Sequence, residues 1–390
     1  YYFHRFYKFQ PDLNISNPEV REEIHRIMGF WLELGVAGFR VDAVPFILET
    51  QSPHRKKETL RFEHLREMRR FLQWRRGDAI LLGEANVLPE ETKDYFGEEG
   101  SGIHLMFNFY VNQHMFYALA TADIEPLKKA LEDTRISFPG SQWAHFLRNH
   151  DELDLGRLTE EQRQKVFARF GPEERMQLYG RGIRRRLMTM LGNREQVEMA
   201  YSLMFSLPGT PVIRYGDEIG MGDNLNLNER NAVRTPMQWS ADKQAGFSKA
   251  DKLIHPIIDK GPYSYKHVNV ETQRRTPDSL LNWMTALIRL RQECTEIGWG
   301  DWEILDTGSP HILGMHYNWQ GSSVLTFHNF EEKAKEVTLD LKSKEQVKLI
   351  DLMVNLESLP DEKGKHHIKL EAYGYRWFRT GDLRHIMHKI

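Results

Sequence analysis

The 390 residues carry a formal net charge of −2, with 40 % hydrophobic and 28 % charged side chains. That balance is the mix of a soluble globular protein and argues against nucleic acid or an anionic membrane as an obligatory partner. A single cysteine, Cys294, excludes an internal disulfide framework and a thiolate metal cluster. The sequence holds no run of 18 or more apolar residues, so no membrane-spanning segment is expected in it.

The chain opens YYFHRFYKFQPDLN, without Met and without a basic–apolar–small leader, so it reads as the middle of something and its start leaves secretion undecided; a cytoplasmic location is the expectation. Residues 17–34 carry an Asn-Pro start and helical apolar spacing. GFRVDAV follows, and its continuous apolar character predicts a buried parallel strand. A charged helix over 56–73 leads to AILLGEA, and IHLMFNF comes after a loop. A helix near 126–132 leads to WAHFLRN, and further helical segments lead to TPVIRYGDEIG. Five strand–helix units in succession predict a parallel α/β sheet. After an amphipathic helix over 280–293, the texture changes to short alternating runs with turn-rich spacing. These predict an antiparallel β module of roughly 308–380, packed on the rest rather than tethered.

Three predicted strands end in ionisable residues. GFRVDA puts Arg40 and Asp42 two apart, on one side of a strand; LLGEA ends on Glu84; LRNHDE ends on His150 and Asp151. In a parallel barrel such ends share one rim. Each acid singly has a plain reading as a helix cap or an arginine partner. Three on successive strands fit glycosidic bond cleavage, which needs two carboxyl groups in different protonation states, roughly 5–5.5 Å apart where configuration is retained. A neighbouring cation keeps one ionised while crowding by other carboxylates keeps the other protonated. Arg40 suits the first role and Asp151 supplies the crowding.

GFRVDAV, LLGEAN and FLRNHD, with QPDLN before them and LPGTPVIRYGDEIG after, resemble the ordered signature segments of the α-amylase superfamily of glycoside hydrolases. The resemblance implies a (β/α)8 TIM barrel of which only strands 4–8 are present, plus a C-terminal antiparallel β-sandwich. It divides the chain into 1–16 (the end of a loop domain after the third strand), 17–300 (barrel) and 301–390 (all-β). By position it makes Asp42 the nucleophile, Arg40 its partner, Glu84 the acid/base, and Asp151 with His150 the group that binds sugar hydroxyls. Because three strands and a further signature segment are missing, it implies a truncated chain that does not turn over maltose by itself.

MGDN, NERNAVRTPMQWS, AGFS and VNVETQ resemble trehalose synthases and the related α-glucosidases and oligo-1,6-glucosidases; LRNHDELDL and GIRRRL favour the former. The resemblance implies maltose or another small α-glucoside as substrate, isomerised to trehalose through a β-glucosyl-enzyme. A hydrolytic α-glucosidase or transglucosidase is the alternative, and a carbohydrate-binding relic a third reading of another class. It also implies that Arg230 reaches the pocket opposite Glu160, where the plain reading is surface charges paired with neighbours. Arg234, Met237 and Trp239 are expected to pack beneath the site, and Arg184–Arg186 to form a solvated or ion-paired helix face. A turn like AVPFILE implies Ca²⁺ held by the carbonyls of Phe46 and Ile47 and the carboxylate of Glu49. No organic cofactor is expected, since no phosphate-cradling glycine loop is present.

Overall fold

The computed structural model describes residues 1–49, 60–136, 140–341, 347–354 and 356–380. The chain divides into two units, Tyr1–Tyr110 with Thr134–Ala144, and Val111–Asp133 with His145–Ile390.

The first unit opens with helix α1 (Pro18–Glu33), where Asn17 accepts the Glu19 N–H at 3.0 Å and Pro18 occupies the first turn. Strand β1 (Gly38–Val41), helices α2 (Val44–Leu48) and α3 (Glu63–Arg75), strand β2 (Ile80–Gly83), helix α4 (Thr92–Phe96), strand β3 (Leu105–Phe107), helix α5 (Phe109–Thr121), helix α6 (Glu125–Asp133) and strand β4 (Gln142–Phe146) follow in chain order. The first four residues of the helix expected over 56–73 lie outside the described residues. The strands pair in parallel, β1 with β2, β2 with β3 and β3 with β4. Leu48, Leu65, Leu72, Leu81, Ile103 and Met106 are fully buried beneath them, each contributing about 1.5–3 kcal/mol of burial. Strand β1 is half-exposed rather than buried as its apolar run suggested, because it stands first in the strand order with a neighbour on one side.

The second unit holds most of α5 and all of α6. Helix α5 has no amphipathic stripe; its residues from Val111 to Leu119 are all buried, so periodicity could not mark it. A small sheet of order β5-β7-β6 joins β5 (Leu153–Asp154), β6 (Gln177–Leu178) and β7 (Gly182–Ile183). Helix α7 (Glu160–Phe170) lies between β5 and β6 in the chain, and α8 (Leu187–Leu191) and α9 (Arg194–Ser206) follow β7. Strand β8 (Thr210–Val212) stands next to β4 in strand order, whose last residues His145 and Phe146 belong to this unit. Helices α10 (Val270–Arg275), α11 (Leu280–Glu293) and α12 (Thr295–Trp299) complete the helical part.

The β module starts seven residues before the alternating runs, at β9 (Asp301–Leu305). It continues with β10 (Ile312–Trp319), β11 (Ser322–Asn329), β12 (Lys335–Asp340), β13 (Leu349–Asp351), β14 (Glu357–Ser358), β15 (Lys365–Leu370) and β16 (Tyr375–Thr380). A six-stranded sheet, β14-β13-β16-β11-β10-β9, and the β12-β15 pair enclose Leu325, Phe327, Val337, Ile368 and Phe378. The module packs directly on α9 and α11. The Trp377 indole donates to Ser202 Oγ at 2.9 Å, His328 Nε2 lies 2.9 Å from the same hydroxyl, and Trp283 donates to Tyr375 at 2.9 Å. Among the described residues no helix is long and apolar enough to cross a membrane.

Candidate active site

In the first unit the parallel register Val41↔Gly83 sets Asp42 beside Glu84. Two backbone bonds fix the pairing past the strand ends: Glu84 N–H to Val41 O at 2.9 Å and Val44 N–H to Glu84 O at 3.0 Å. Gly83 gives room to its neighbours, since a Cβ would stand 2.5 Å from Ile103 Cδ1 and 3.3 Å from Val44 Cγ2 and would push the isoleucine aside. Ala43 turns the chain after Asp42 in the left-handed region, φ 46°, a conformation that costs about 1–2 kcal/mol for a residue with a Cβ. Arg40, as its spacing predicted, donates one N–H to Asp42 Oδ1 at 2.7 Å and another to Glu84 Oε2. One guanidinium therefore serves both carboxylates. Asp42 is the more open, with 71 % of its side chain exposed against 21 % for Glu84.

In the second unit the loop after β4 carries Arg148, Asn149, His150, Asp151 and Glu152. Asp151 receives Arg230 at 3.2 Å and Arg234 on its other oxygen, with His150 Nε2 at 3.6 Å. Guanidiniums also hold the backbone of this loop. Arg148 donates to Asp151 O at 2.7 Å, Arg234 to His150 O at 2.7 Å, and Arg214 to Asn149 O. Burial, and then the neighbouring Arg214, pushes the Arg148 pKa down to about 10; burial and then Arg186 pushes Arg214 to about 10. Four arginines on one loop concentrate positive charge there, suited to negative charge or to sugar hydroxyls as acceptors. Glu152, nearly buried, accepts two bonds from Arg230, at 2.6 and 3.1 Å. Burial alone would lower the Arg230 pKa, but the Glu152 hydrogen bonds and the Glu152 and Asp151 charges raise it well above its ordinary value.

Several expectations need correction. Glu160 does not face Arg230. It is the first residue of α7 behind the Thr159 cap, 65 % exposed, and pairs with Arg163 and Gln164; the Gln164 bond and then Arg163 hold its carboxyl below the usual range. An acid in a first turn satisfies the helix end and faces water; the partner of Arg230 is Glu152. Arg234 is an ion-pair partner of Asp151 rather than packing. Met237 does pack, with Ile219, Met221 and Val270, while Trp239 is 48 % exposed. Arg184–Arg186 lie between β7 and α8 rather than on a helix, and they are turned inward rather than solvated, with Arg185 and Arg186 ion-paired. Arg184 and Arg186 are 9 % and 1 % exposed, and Arg185 and Arg186 meet Asp223 and Asp217 at 3.4 and 3.3 Å.

The three residues expected to contribute to a calcium site are only part of the ligand set that the resemblance implies. Phe46 and Ile47 lie in the short helix α2, and the Glu49 carboxylate is bound to Arg5, whose guanidinium stands 4.7 Å from the Phe46 ring centre. A calcium site needs several oxygens turned to one point, and among these three residues the one acid is paired with a guanidinium. Among the described residues no group of three or more His, Cys, Asp or Glu is arranged for a metal.

Glu152, Arg148, Arg214 and the inward arginines were missed. Glu152 carried a signal, as a second acid directly after Asp151. The arginines carried none, because nothing local separates an inward guanidinium from a solvated one.

The family profile described as "Alpha amylase, catalytic domain" matches residues 1–171 and 182–300, and a "Sucrose hydrolase-like, C-terminal domain" profile matches 321–379. The chain is 39 % identical over 393 residues to a trehalose synthase of Thermus thermophilus, covering 100 % of this chain and 40 % of that protein. It is 37 % identical over 397 residues to a trehalose synthase of Pimelobacter sp. (strain R48), covering 98 % of this chain and 69 % of that protein. Its fold matches the crystal structure of an α-amylase from H. orenii with a TM-score of 0.73 at 23 % identity, over 96 % of this chain and 67 % of that one. The chain thus spans between two fifths and about two thirds of the length of these proteins.

Proposed function

The chain belongs to the α-amylase catalytic-domain family, and on that premise we propose that it carries the carboxylates of a retaining enzyme that converts maltose to trehalose. The observation that carries the reading is the single Arg40 guanidinium shared by Asp42 and Glu84. The guanidinium holds the two acids side by side, and their unequal exposure, 71 % for Asp42 against 21 % for Glu84, gives them the unlike surroundings that two unlike roles require. The likeness to two trehalose synthases over almost the whole chain supports trehalose as the product.

In this reading Asp42 attacks the anomeric carbon of the non-reducing glucose of maltose. The glycosidic bond breaks toward oxygen, and Glu84 delivers its proton to that oxygen, releasing glucose and leaving a β-glucosyl ester on Asp42. Glucose then turns in the pocket. The Glu84 carboxylate takes the proton of its anomeric hydroxyl, that oxygen attacks the same carbon, and Asp42 leaves, giving the α,α-1,1 linkage. Water in place of the turned glucose gives hydrolysis, so exclusion of water sets the product. Asp151, with Arg230 and Arg234 on its oxygens, is the third carboxylate and grips sugar hydroxyls that tighten at the transition state. No step runs through a metal.

The test is product analysis from maltose with the full-length natural protein and its Asp42→Asn variant. Trehalose exceeding glucose, lost in the variant, is the expected result. Glucose predominating makes the protein a hydrolytic α-glucosidase with the same acids, and undiminished turnover by the variant overturns the assignment of Asp42.

A further inference from the structure

The Arg230–Glu152 ion pair joins two segments far apart in the chain, and both are anchored by the same short sheet. In the antiparallel pairing of β5 with β7, Leu153 faces Ile183 and Asp154 faces Gly182. Glu152 immediately precedes β5 and Arg184 immediately follows β7, so this register brings both to the same end of the pair. Arg184 donates four hydrogen bonds, all to backbone carbonyls: to Arg175 O at 2.7 Å, Leu227 O at 2.6 Å, Glu229 O at 3.1 Å and Leu225 O at 3.0 Å. Three of these acceptors belong to the five residues just before Arg230. Beside it, Gly182 leaves room for the Glu152 side chain, since a Cβ there would stand 2.6 Å from Glu152 Cγ.

A buried guanidinium satisfied by carbonyls rather than by a carboxylate fixes backbone, because its rigid fork accepts one arrangement of acceptors. Loop carbonyls drawn inward would otherwise need water or a turn of their own. Met176 O accepts the Arg184 backbone N–H at 2.8 Å, so the Arg184 main chain is itself fixed.

We propose that Arg184 is a positioning residue: it holds the 225–229 segment so that Arg230 meets Glu152 and Asp151, and thereby sets how well the pocket excludes water. The inference rests on the reading that Arg230 and Asp151 belong to the glucoside site. The Arg184 guanidinium bonds to loop carbonyls, so it acts through the loop.

The experiment compares the full protein with Arg184→Lys, Arg184→Gln, Arg230→Ala and the two double variants, by amide hydrogen exchange and by products from maltose. Lysine keeps the charge but can satisfy one or two of the four carbonyls. Circular dichroism first establishes that each variant is folded. The expected result is exchange at least tenfold faster in 224–231 for Arg184→Lys and Arg184→Gln, with α11 and the β module unchanged. The glucose-to-trehalose ratio rises several-fold in both single Arg184 variants, and those changes add nothing once Arg230 is alanine. Unchanged exchange in 224–231 in a folded variant overturns the inference, as does a shift in ratio that is fully additive with Arg230→Ala. Exchange needs no turnover. A parent protein that processes no α-glucoside while 224–231 loosens as expected would refute the proposed function and leave the anchoring by Arg184 standing.

Discussion

Arg186 and Asp217 form an ion pair that water does not reach: their side chains are 1 % and 2 % exposed, 3.3 Å apart. Arg186 also donates to Val233 O at 3.1 Å and to Tyr215 O at 2.6 Å. Arg186→Met keeps much of the volume and strands Asp217 in the interior beside Tyr201, a hydroxyl that burial and then Asp217 already push well above its ordinary pKa. Breaking one side of a buried pair costs about 3–5 kcal/mol. Val233 O keeps its bond from Arg214, but Tyr215 O is orphaned, which adds about 1 kcal/mol or more. A loss of about 4–6 kcal/mol is a large share of the roughly 5–15 kcal/mol that holds a domain together. At roughly 2–3 °C per kcal/mol it lowers the melting midpoint by about 10 °C or more. Thermal unfolding followed by circular dichroism measures it. Adding Asp217→Asn removes the stranded charge, so the double variant should recover about 2 kcal/mol or more over Arg186→Met alone. A single variant that melts like the parent, or a double variant that loses the sum of the two singles, would refute the reasoning.

Gly182→Ala should displace the Glu152 side chain from over β7 and cost about 1–3 kcal/mol of overpacking, read as a lowered midpoint together with reduced maltose turnover. Cys294 is buried, and burial pushes its thiol up to about 12; an aromatic disulfide reagent at pH 8 should leave it unmodified in the native protein and label it fully in denaturant. His328 is wholly buried and its pKa is pushed down by burial to about 3. A histidine depressed in the folded state takes up a proton on unfolding, so it erodes stability as pH falls from about 6.5 toward 3 by at most about 1.4 kcal/mol per unit. Denaturant titrations at pH 7, 6, 5 and 4 should therefore show a shallower decline for His328→Gln than for the parent, after allowing for the variant's own loss at pH 7. Parallel declines would contradict this.

Much of the fold was legible because its strands are short apolar runs ended by glycine, asparagine or acids, and its outer helices are amphipathic. The helix expected over 280–293 is α11 to the residue, because Ser279 caps it and Cys294 ends its apolar stripe. Helix α5 was invisible, since a helix buried on all sides loses the period that marks it. The adjacency of Arg40, Asp42 and Glu84 was legible for a different reason: a parallel sheet aligns strand ends, and two residues of spacing put Arg40 and Asp42 on one side. The arginine cluster around Asp151 was not. Arg230 and Arg234 come from a loop without a repeating pattern, and their meeting with Asp151 and Glu152 depends on Arg184, Arg186 and Arg214 binding carbonyls, an order that no spacing encodes. The pairing of Arg230 with Glu160 failed on the same ground, since charge alone could not separate a helix-end acid from a buried one.

The central claim is a covalent glucosyl ester on Asp42, and the most direct measurement traps it. The protein is incubated with a fluorinated α-glucosyl fluoride that forms the ester quickly and releases it slowly, then digested and sequenced by mass spectrometry. One fluoroglucosyl group on the peptide containing Asp42, absent from Asp42→Asn, is the predicted result. A label on Glu84 or Asp151 instead, or steady release of fluoride by Asp42→Asn at the parent rate, would contradict it.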